Sequence, residues 1–249
     1  EAATVTVGGD VELGSGSTVT TASAADGLVT QAVIIATNLT VASGAEIDVS
    51  SKGYPKKTWR DFESWGNTNF GGSHGGIGGT HSGESFVSNP VYGSLYDPDT
   101  PGAGGVSGSG GGVIRIDISD TLTVHGAIAA NGQSTSGGGA GGSVSVRADI
   151  ITGDGEITSN GGGVQNSWGG GSGGRVALLD YTLLAGAFAD ALVGTDGFGV
   201  QAFGALATSC SSGSAGTVFL RSANAEHGSL VIDNTNRCTD AQTFTELPA

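Results

Sequence analysis

Two histidines in a glycine-rich segment are the first residues whose type and spacing suggest chemistry. His74 and His81 lie seven positions apart, and a metal site built on them requires a third ligand such as Glu84, Asp97 or Asp99. Asp97 and Asp99 flank a proline, and carboxylate oxygens are ligands that Ca²⁺ prefers. Because no EF-hand or other calcium-binding repeat accompanies them, we expect loop histidines, an ordinary turn and no cofactor, with Ca²⁺ as the one candidate ion.

Aromatic and basic side chains concentrate in the same part of the chain and are candidate contacts for a ligand or a partner. They are Tyr54, Trp59, Arg60, Trp65, Tyr92 and Tyr96. Tyrosine and tryptophan combine a large apolar face with a polar tip, which suits a sugar ring. The same residues suit a small core of their own or a contact with a neighbouring subunit, and the sequence leaves all three interpretations open.

Polysaccharide cleavage is the enzymatic alternative. A glycoside hydrolase needs two carboxylates about 5–9.5 Å apart, and a lyase needs a base beside a cationic group or a metal. The available groups are Arg115, Arg147, Asp117, Asp120, Asp149 and Asp154, with Lys56 and Lys57 in the aromatic segment. No carboxylate pair is distinguished by its spacing, so we assign no catalytic residue.

Two cysteines bear on the compartment of the protein. Cys210 and Cys238 lie 28 positions apart and belong to no CxxC motif, so one disulfide in an oxidising compartment is the simple prediction. The sequence starts with Glu1 rather than methionine, which is typical of a chain that has lost a secretory segment. Asn38 begins an N-glycosylation sequon. We therefore expect a secreted or cell-surface protein.

Composition excludes several classes of protein. Glycine accounts for 48 of 249 residues, about 19 % against roughly 7 % in average proteins, which disfavours a helical fold. Nine basic against 23 acidic residues give a net charge of −14. Such a chain is a poor nucleic-acid ligand, because phosphate contacts need a basic face. No apolar run reaches the ~18 residues of a membrane helix.

Short apolar strands recur along the chain and are each entered through glycines. The equivalent positions Ile114, Val144, Val176 and Val218 lie 30, 32 and 42 residues apart. Another aliphatic residue follows each of them two positions later, on the same face of a strand. The residues in between, which we expect to point outward, are Arg115, Ser145, Ala177 and Phe219.

Three short strands in each repeat predict the fold class. We expect an all-β, single-stranded, right-handed parallel β-helix (β-solenoid) of about six coils, because one coil buries its apolar face only by stacking on the next. An antiparallel β-sandwich is the main competitor, but its two-residue hairpin turns are not evident.

Two local expectations accompany this prediction. Asn131 and Asn160 end equivalent strands, where we expect a left-handed turn conformation and a stack of asparagines. Leu178 to Leu192 is the one stretch that we allow to be helical.

The repeat defines one solenoid domain over residues 1–249 with two exceptional segments. A long glycine-rich insertion occupies 50–112, and a C-terminal tail covers 239–249. An unstructured loop of this length is uncommon in a compact domain unless it is functional or packed over the scaffold.

The runs from Gly71 to Val176, which include Tyr92-Gly93-Ser94-Leu95-Tyr96 and GGG-x-GG turns leading into Val-x-Val strands, resemble the glycine-rich β-solenoid regions of large secreted and surface proteins. The resemblance implies an extracellular structural or adhesive role and carries over no catalytic residue. The function expected from the sequence is therefore a filament-forming, self-assembling or matrix-attached protein, with carbohydrate binding or degradation as the alternative. Expected partners are copies of the chain or an extracellular polysaccharide, without nucleic acid and without a membrane span.

Overall fold

A computed structural model describes most of the chain. The described residues are 2–25, 28–64, 70–81, 89–163, 168–189, 199–207, 211–239, 244–245 and 247.

Short strands dominate the described residues, and two single-turn 3-10 helices, Arg60–Phe62 and Gly186–Phe188, accompany them. In chain order the strands are β1 (Ala2–Thr6), β2 (Asp10–Leu13), β3 (Thr18–Val19), β4 (Gln31–Ala36), β5 (Asn38–Val41), β6 (Glu46–Asp48), β7 (Thr58–Trp59), β8 (Glu63–Ser64), β9 (Val113–Ile118), β10 (Thr121–Val124), β11 (Ala127–Ala129), β12 (Ser143–Arg147), β13 (Ile150–Thr152), β14 (Glu156–Thr158), β15 (Arg175–Tyr181), β16 (Leu183–Leu184), β17 (Gly199–Gln201), β18 (Thr217–Ser222) and β19 (Ser229–Val231).

The strands form three parallel sheets that the chain visits in turn. Sheet A has the order β1-β4-β9-β12-β15-β18-β19, sheet B the order β16-β13-β10-β5-β2, and sheet C the order β17-β14-β11-β6-β3. Each run of three strands places one strand in each sheet, beside and parallel to the strand of the run before. Among the described strands of these three sheets, β19 is the one that pairs antiparallel, with β18. The predicted all-β class with parallel sheets is confirmed.

The strand register confirms the repeat alignment made from the sequence. Val144 pairs with Ile114 on one side and with Val176 on the other, and Val176 pairs with Val218. Ile128 and Ile157 pair in the same way in sheet C. A strand's side chains alternate between its two faces, so this register puts each aliphatic row on one face.

These rows form the main hydrophobic core between the three sheets. Ile114, Ile116, Val146, Leu178 and their equivalents in sheets B and C are fully buried. Full burial of one such side chain contributes about 1.5–3 kcal/mol, so the rows are the main source of stability in the strand region.

A second ordered layer consists of glycine-rich segments that are not strands. We call it the glycine bundle, and its segments are 53–54, 70–79, 102–112, 132–142, 161–163, 169–174, 202–205 and 211–216. Three of these segments belong to the insertion 50–112. The described part of the insertion is therefore largely packed structure, and it also contains the short antiparallel pair β7–β8.

Backbone hydrogen bonds tie the glycine bundle together in several directions. In segment 169–174 the backbone N–H groups donate to carbonyl oxygens of other segments at N···O distances of 2.8–3.1 Å. The donor and acceptor pairs are Gly170 and Ser211, Gly171 and Gly162, Ser172 and Gly72, Gly173 and Ser214, and Gly174 and Ser159. The segment that accepts the hydrogen bond changes from one donor residue to the next, and the same neighbouring part of the chain accepts again three residues later. This period is that of a polyproline II-type helix, which has three residues per turn and no internal hydrogen bonds.

Glycine is required in the bundle because its segments approach one another closely. A Cβ atom at Gly171 would overlap the carbonyl oxygen of Gly139, and one at Gly138 would overlap that of Gly162. The obstacle is backbone in both cases, so no side-chain rotation relieves the clash.

Within the stretch Leu178 to Leu192 that we allowed to be helical, the described part 178–189 is helical only at the single 3-10 turn Gly186–Phe188. β15 continues through Leu178 and Leu179, and β16 follows it. Leu178 faces the main core while Leu179 packs under the insertion on the other face. A strand that is buried on both faces has a continuous apolar run, which resembles a buried helix in sequence.

The asparagine stack is present, but the expected left-handed conformation is wrong, because neither residue has a positive φ. The amide of Asn160 donates to Oδ1 of Asn131 at 2.7 Å, and the amide of Phe203 donates to Oδ1 of Asn160 at 2.8 Å. Each asparagine therefore satisfies a backbone donor of the following turn.

Replacement of Gly171 by alanine tests the close packing of the bundle. We expect Gly171→Ala to lower the free energy of unfolding by roughly 1–3 kcal/mol or more, because the methyl group must displace backbone. Gly9→Ala is the matched control, since a Cβ there meets nothing within 4 Å. Urea unfolding of both variants measures the difference, and equal stabilities would contradict the packing.

Candidate functional site

The segment 89–101 crosses the outer face of sheet A, and we call it the strap. Its backbone carbonyls accept hydrogen bonds from the first residues of three strands. Gln31 donates to the carbonyl of Asp99 at 3.4 Å, and Ser143 donates to that of Thr100 at 2.5 Å. Nε of Arg175 donates to the carbonyl of Tyr92 at 3.0 Å. The strap therefore lies across the strands, anchored at one register position.

The strap also buries side chains that the sequence analysis expected on an outer surface. Leu95 packs with Ala177, Leu179 and Phe219 in a small hydrophobic cluster. Ser145 is buried as well, and its hydroxyl donates to Asp97 at 3.0 Å. Ser145, Ala177 and Phe219 point away from the main core, as predicted, but the strap covers them, so they do not face solvent.

Two of the candidate aromatic residues form a core inside the insertion. Tyr54 and Tyr92 are each 7 % exposed and pack with Ala103, while Val29 and Trp59 lie partly buried against them. The hydroxyl of Tyr92 donates to the carbonyl of Pro101 at 2.7 Å. Of the three interpretations that the sequence left open, this arrangement agrees with an internal core for Tyr54 and Tyr92.

Trp59 and Arg60 are more accessible than Tyr54 and Tyr92. The guanidinium of Arg60 lies 5.4 Å from the ring centre of Trp59 and pairs loosely with Asp61 at 3.9 Å. Trp65 lies outside the described residues.

His74 is fully buried and uses both ring nitrogens. Nδ1 lies 2.8 Å from the carbonyl oxygen of Gly141, which only accepts, so Nδ1 carries the proton. Nε2 therefore accepts from the hydroxyl of Thr100, at 3.0 Å. Burial and, to a smaller extent, the charge of Arg175 lower the pKa of His74 to about 3, against the opposing effect of its backbone hydrogen bonds. The imidazole is a neutral structural group with no lone pair free for a metal.

The other predicted metal ligands have separate surroundings. Asp97 contacts two arginines, while Asp99 accepts from Gln31 through its backbone. His81 is half-buried, and Glu84 lies outside the described residues. Among the residues that the structure describes, no group of three or more histidines, cysteines or carboxylates is close enough to hold a metal ion.

Three arginines and three aspartates form a network beside the strap. Arg147 lies centrally, 2.6 Å from Asp180, 3.5 Å from Asp97 and 3.8 Å from Asp117. Arg115 extends the network to Asp97 and Asp117, and Arg221 extends it to Asp180. Partial burial favours a higher pKa for Asp180, but hydrogen bonds from Arg221 and Arg147 outweigh it and lower the pKa. The arginines suggested for polysaccharide cleavage are thus neutralised by carboxylates.

Arg175 is a buried cation that the sequence analysis did not select. Its side chain is fully buried, Nη1 donates to the hydroxyl of Thr217 at 3.1 Å, and Nη2 has no hydrogen-bond partner among the described residues. Burial lowers the pKa of Arg175 to about 10. Its position directly after Gly173-Gly174, where the other repeats have small or apolar residues, is the signal that could have identified it.

A groove of about 370 Å³ lies beside the strap, and Tyr96 is its exposed aromatic wall. Tyr96 is 60 % exposed and packs edge-on against Phe219, with ring centres 5.0 Å apart. Arg221, Glu226 and His227 supply polar groups to the same groove. Among the predicted aromatic contacts within the described residues, Tyr96 is therefore the one most open to a ligand.

The first turn of the stack forms a second candidate surface, which we call the open end. β1, β2 and β3 are the last strands of sheets A, B and C, so all three sheets present an unpaired edge there. Val5 occupies the same core-facing register position as Ile34, yet Val5 is 47 % exposed and Ile34 only 3 %. A depression of about 240 Å³ lies at this end, between β1 and β3. The hydrophobic core is thus uncovered at the open end.

The opposite end is covered in part by the C-terminal segment, while β16 and β17 are the last strands of sheets B and C there. β19 pairs with β18, and the side chain of Asn234 accepts from the amide of Gly204 and donates to the carbonyl of Gly213. Arg237 lies over the ring of Phe203, 5.1 Å from its centre. The two ends of the stack therefore differ chemically.

The N-glycosylation of Asn38 and the disulfide between Cys210 and Cys238 remain predictions. The side-chain nitrogen Nδ2 of Asn38 donates to the carboxylate of Asp10 at 2.8 Å, which ties the sequon to a neighbouring strand. Cys210 lies outside the described residues, so its bond to Cys238 is not described, although no free cysteine occurs within the described part.

Comparison with family models, with curated proteins and with solved structures finds no match to this chain. The described residues include no helix that is long and apolar enough to cross a membrane.

The burial of His74 predicts a specific acid sensitivity. The pKa in the folded state is about 3, below the ordinary value of 6.5. Between these values the unfolded chain binds a proton that the folded chain does not, so stability falls as the pH falls through this window. The loss from this one residue is on the order of 5 kcal/mol at most.

His74→Asn tests this origin, because asparagine can keep the hydrogen bond to Gly141 but does not titrate. We expect urea unfolding from pH 7 to pH 4 to show a smaller loss of stability for His74→Asn than for the unaltered chain. Carboxylates such as Asp180 contribute equally to both proteins. Parallel pH profiles would contradict the assignment.

Proposed function

We propose that this chain is an extracellular structural or adhesive protein, built as a right-handed parallel β-solenoid of about six coils, that associates with other copies or a matrix through its open end. The observation that carries the proposal is the uncovered core and the three unpaired strand edges of the first turn. Unpaired edges are templates for pairing with another chain, and natural sheets usually protect them.

The edge strand β1 lacks the usual protection against such pairing. Its sequence Ala-Ala-Thr-Val-Thr contains no charge and no proline, and all five residues are exposed. Charged residues, prolines and bulges are the common means of blocking an edge. An edge of this composition supports a role in assembly.

The glycine bundle supports a structural role for a second reason. Its segments are joined by backbone hydrogen bonds in several directions, and they are packed so closely that most of its glycines have no room for a side chain. Such a layer braces the strand region. The extracellular location rests on the two cysteines and on the predicted disulfide, which forms in an oxidising compartment.

Association is tested with Val5→Glu. We expect the unaltered chain to show a concentration-dependent rise in mass above 24.2 kDa in sedimentation equilibrium. We expect Val5→Glu to weaken this association at least about tenfold, because a carboxylate would be buried unpaired at the joint.

Ile232→Glu is the matched control, since Ile232 is 45 % exposed but follows β19, at the covered end of the stack. It should associate as the unaltered chain does. Circular dichroism establishes that both variants fold. A 24.2 kDa monomer at all concentrations, without binding to a matrix polymer, would overturn the proposal.

A second candidate function, carbohydrate binding, is favoured by the groove beside Tyr96. An exposed ring with Arg221, Glu226 and His227 around it combines an apolar platform with hydrogen-bonding groups. Binding sites for small polar ligands share this combination.

Tyr96→Ala tests this function by affinity electrophoresis in gels that contain neutral or acidic polysaccharides. We expect retardation of the unaltered chain and at least about tenfold weaker binding by Tyr96→Ala, because the stacking platform is lost. Leu206→Ala is the control, since Leu206 is 63 % exposed and does not line the groove. Equal retardation of all three proteins would exclude Tyr96 as the contact.

A further inference from the structure

We infer that the groove beside Tyr96 binds neutral polysaccharides in preference to acidic ones, and that Glu226 is the residue that sets this preference. The inference deepens the carbohydrate-binding function proposed above and rests on it, because it names the substrate class of the same groove. It does not depend on association through the open end.

Separate parts of the chain converge on the groove. They are the strap with Tyr96, β18 with Phe219 and Arg221, the turn between β18 and β19 with Glu226 and His227, and the C-terminal tail with Leu247. The tail is fixed nearby, since the hydroxyl of Thr245 donates to the carbonyl of Ala215 at 2.7 Å. The volume of about 370 Å³ lies within the range of about 300–1,000 Å³ that is typical of small-ligand sites.

The apolar part of the groove is built around two aromatic rings. The ring of Tyr96 stands at 90° to the ring of Phe219, with ring centres 5.0 Å apart, and Phe219 itself is buried. Gly228 lies close against Phe219, because a Cβ atom there would come within 2.3 Å of Cζ. The turn is thus packed on the same ring that supports Tyr96. An exposed, supported aromatic face suits stacking against the apolar face of a sugar ring.

The polar side chains of the groove supply both donors and acceptors. Asp180 occupies one N–H group of Arg221, on Nη2 at 3.1 Å, and a guanidinium has five such groups. Glu226 and His227 are exposed, and they offer carboxylate acceptors and an imidazole with one donor and one acceptor nitrogen in its neutral form. The hydroxyl groups of a neutral sugar donate and accept, so they match this mixed set.

The charges around the groove disfavour a polyanion. The positive charge of Arg221 is compensated, because it pairs with Asp180 in a network of three arginines and three aspartates. Glu226 adds a negative charge beside this pair, and the whole chain carries a net charge of −14. Like charges repel over about one Debye length, roughly 8–10 Å at ordinary ionic strength. A polysaccharide with a carboxylate on each ring is therefore repelled by Glu226 and by the protein as a whole.

Glu226→Gln tests this preference by affinity electrophoresis. The gels contain a β-glucan or a mannan as neutral polysaccharide, or polygalacturonate or alginate as acidic polysaccharide, and each mobility is referred to a gel without polysaccharide. We expect the unaltered chain to be retarded more by a neutral than by an acidic polysaccharide. Glu226→Gln should bind the acidic polysaccharides about two- to fivefold more tightly, because one opposing charge is removed. Its affinity for the neutral polysaccharide should stay unchanged, since glutamine keeps a carbonyl acceptor.

Glu63→Gln is the matched control. It removes the same charge from an exposed residue of β8 that does not line the groove, so both affinities should remain those of the unaltered chain. Added salt should narrow the difference between neutral and acidic polysaccharides for the unaltered chain, because salt screens repulsion between exposed charges.

The outcomes separate this inference from the function on which it rests. Stronger retardation of the unaltered chain by acidic polysaccharides would overturn the inference, while carbohydrate binding remains. An equal gain of affinity for acidic polysaccharides by Glu226→Gln and Glu63→Gln would likewise overturn the role of Glu226. Retardation by no polysaccharide, or retardation that Tyr96→Ala leaves unchanged, would overturn the carbohydrate-binding function of the groove together with the inference.

Discussion

Backbone hydrogen bonds between closely packed glycine segments are the constraint on which the rest of this structure depends. The strands stack as ordinary parallel sheets, but the links that lead from sheet C back to sheet A after β6, β11, β14 and β17 run through the glycine bundle. Segment 169–174 donates to three neighbouring segments in a period of three residues. Where two backbones approach without a side chain between them, as at Gly138 and Gly171, glycine is the residue that the position accepts.

The strap shows how the glycine bundle and the sheets combine to position side chains. The strap emerges from the insertion and crosses sheet A, where Arg175, Ser143 and Gln31 hold its carbonyls at one register row. His74 lies beside Arg175 and Tyr92 as a neutral imidazole, since its burial opposes a charge. His74 and Asp97, which the sequence marked as candidate metal ligands, therefore help to hold the insertion on the sheet. The open end and the groove at Tyr96 are two surfaces that the described residues leave accessible.

Sequence periodicity predicted the strand region well because each turn repeats the same physical requirement. Val144 and Val176 occupy one row, and burial of that row demands an aliphatic residue at the same place in every turn. The sequence analysis did not predict the glycine bundle, because a polyproline II-type segment has no apolar face. Its three-residue period appears in its backbone hydrogen bonds, which produce no pattern of side chains in the sequence. Glycine-rich runs were for that reason interpreted as turns.

The candidate site was harder to predict because its contacts join positions far apart in the chain. The partner of Arg175 is the carbonyl of Tyr92, 83 residues away, and Phe219 meets Tyr96 across the strap. The residue types of Tyr54 and Tyr92 show that these side chains are large and amphipathic, but they do not show which part of the chain covers them. Burial by the insertion's own backbone decided between a core and a ligand surface.

Hydrogen exchange of the backbone amides, followed by mass spectrometry, tests most directly whether the glycine bundle is the rigid layer described here. The account predicts that peptides covering 138–142 and 169–174 exchange as slowly as those covering β12 and β15, because their amides are bonded to neighbouring segments. Exchange of these glycines at the rate of an unstructured chain, while the strands remain protected, would contradict the account.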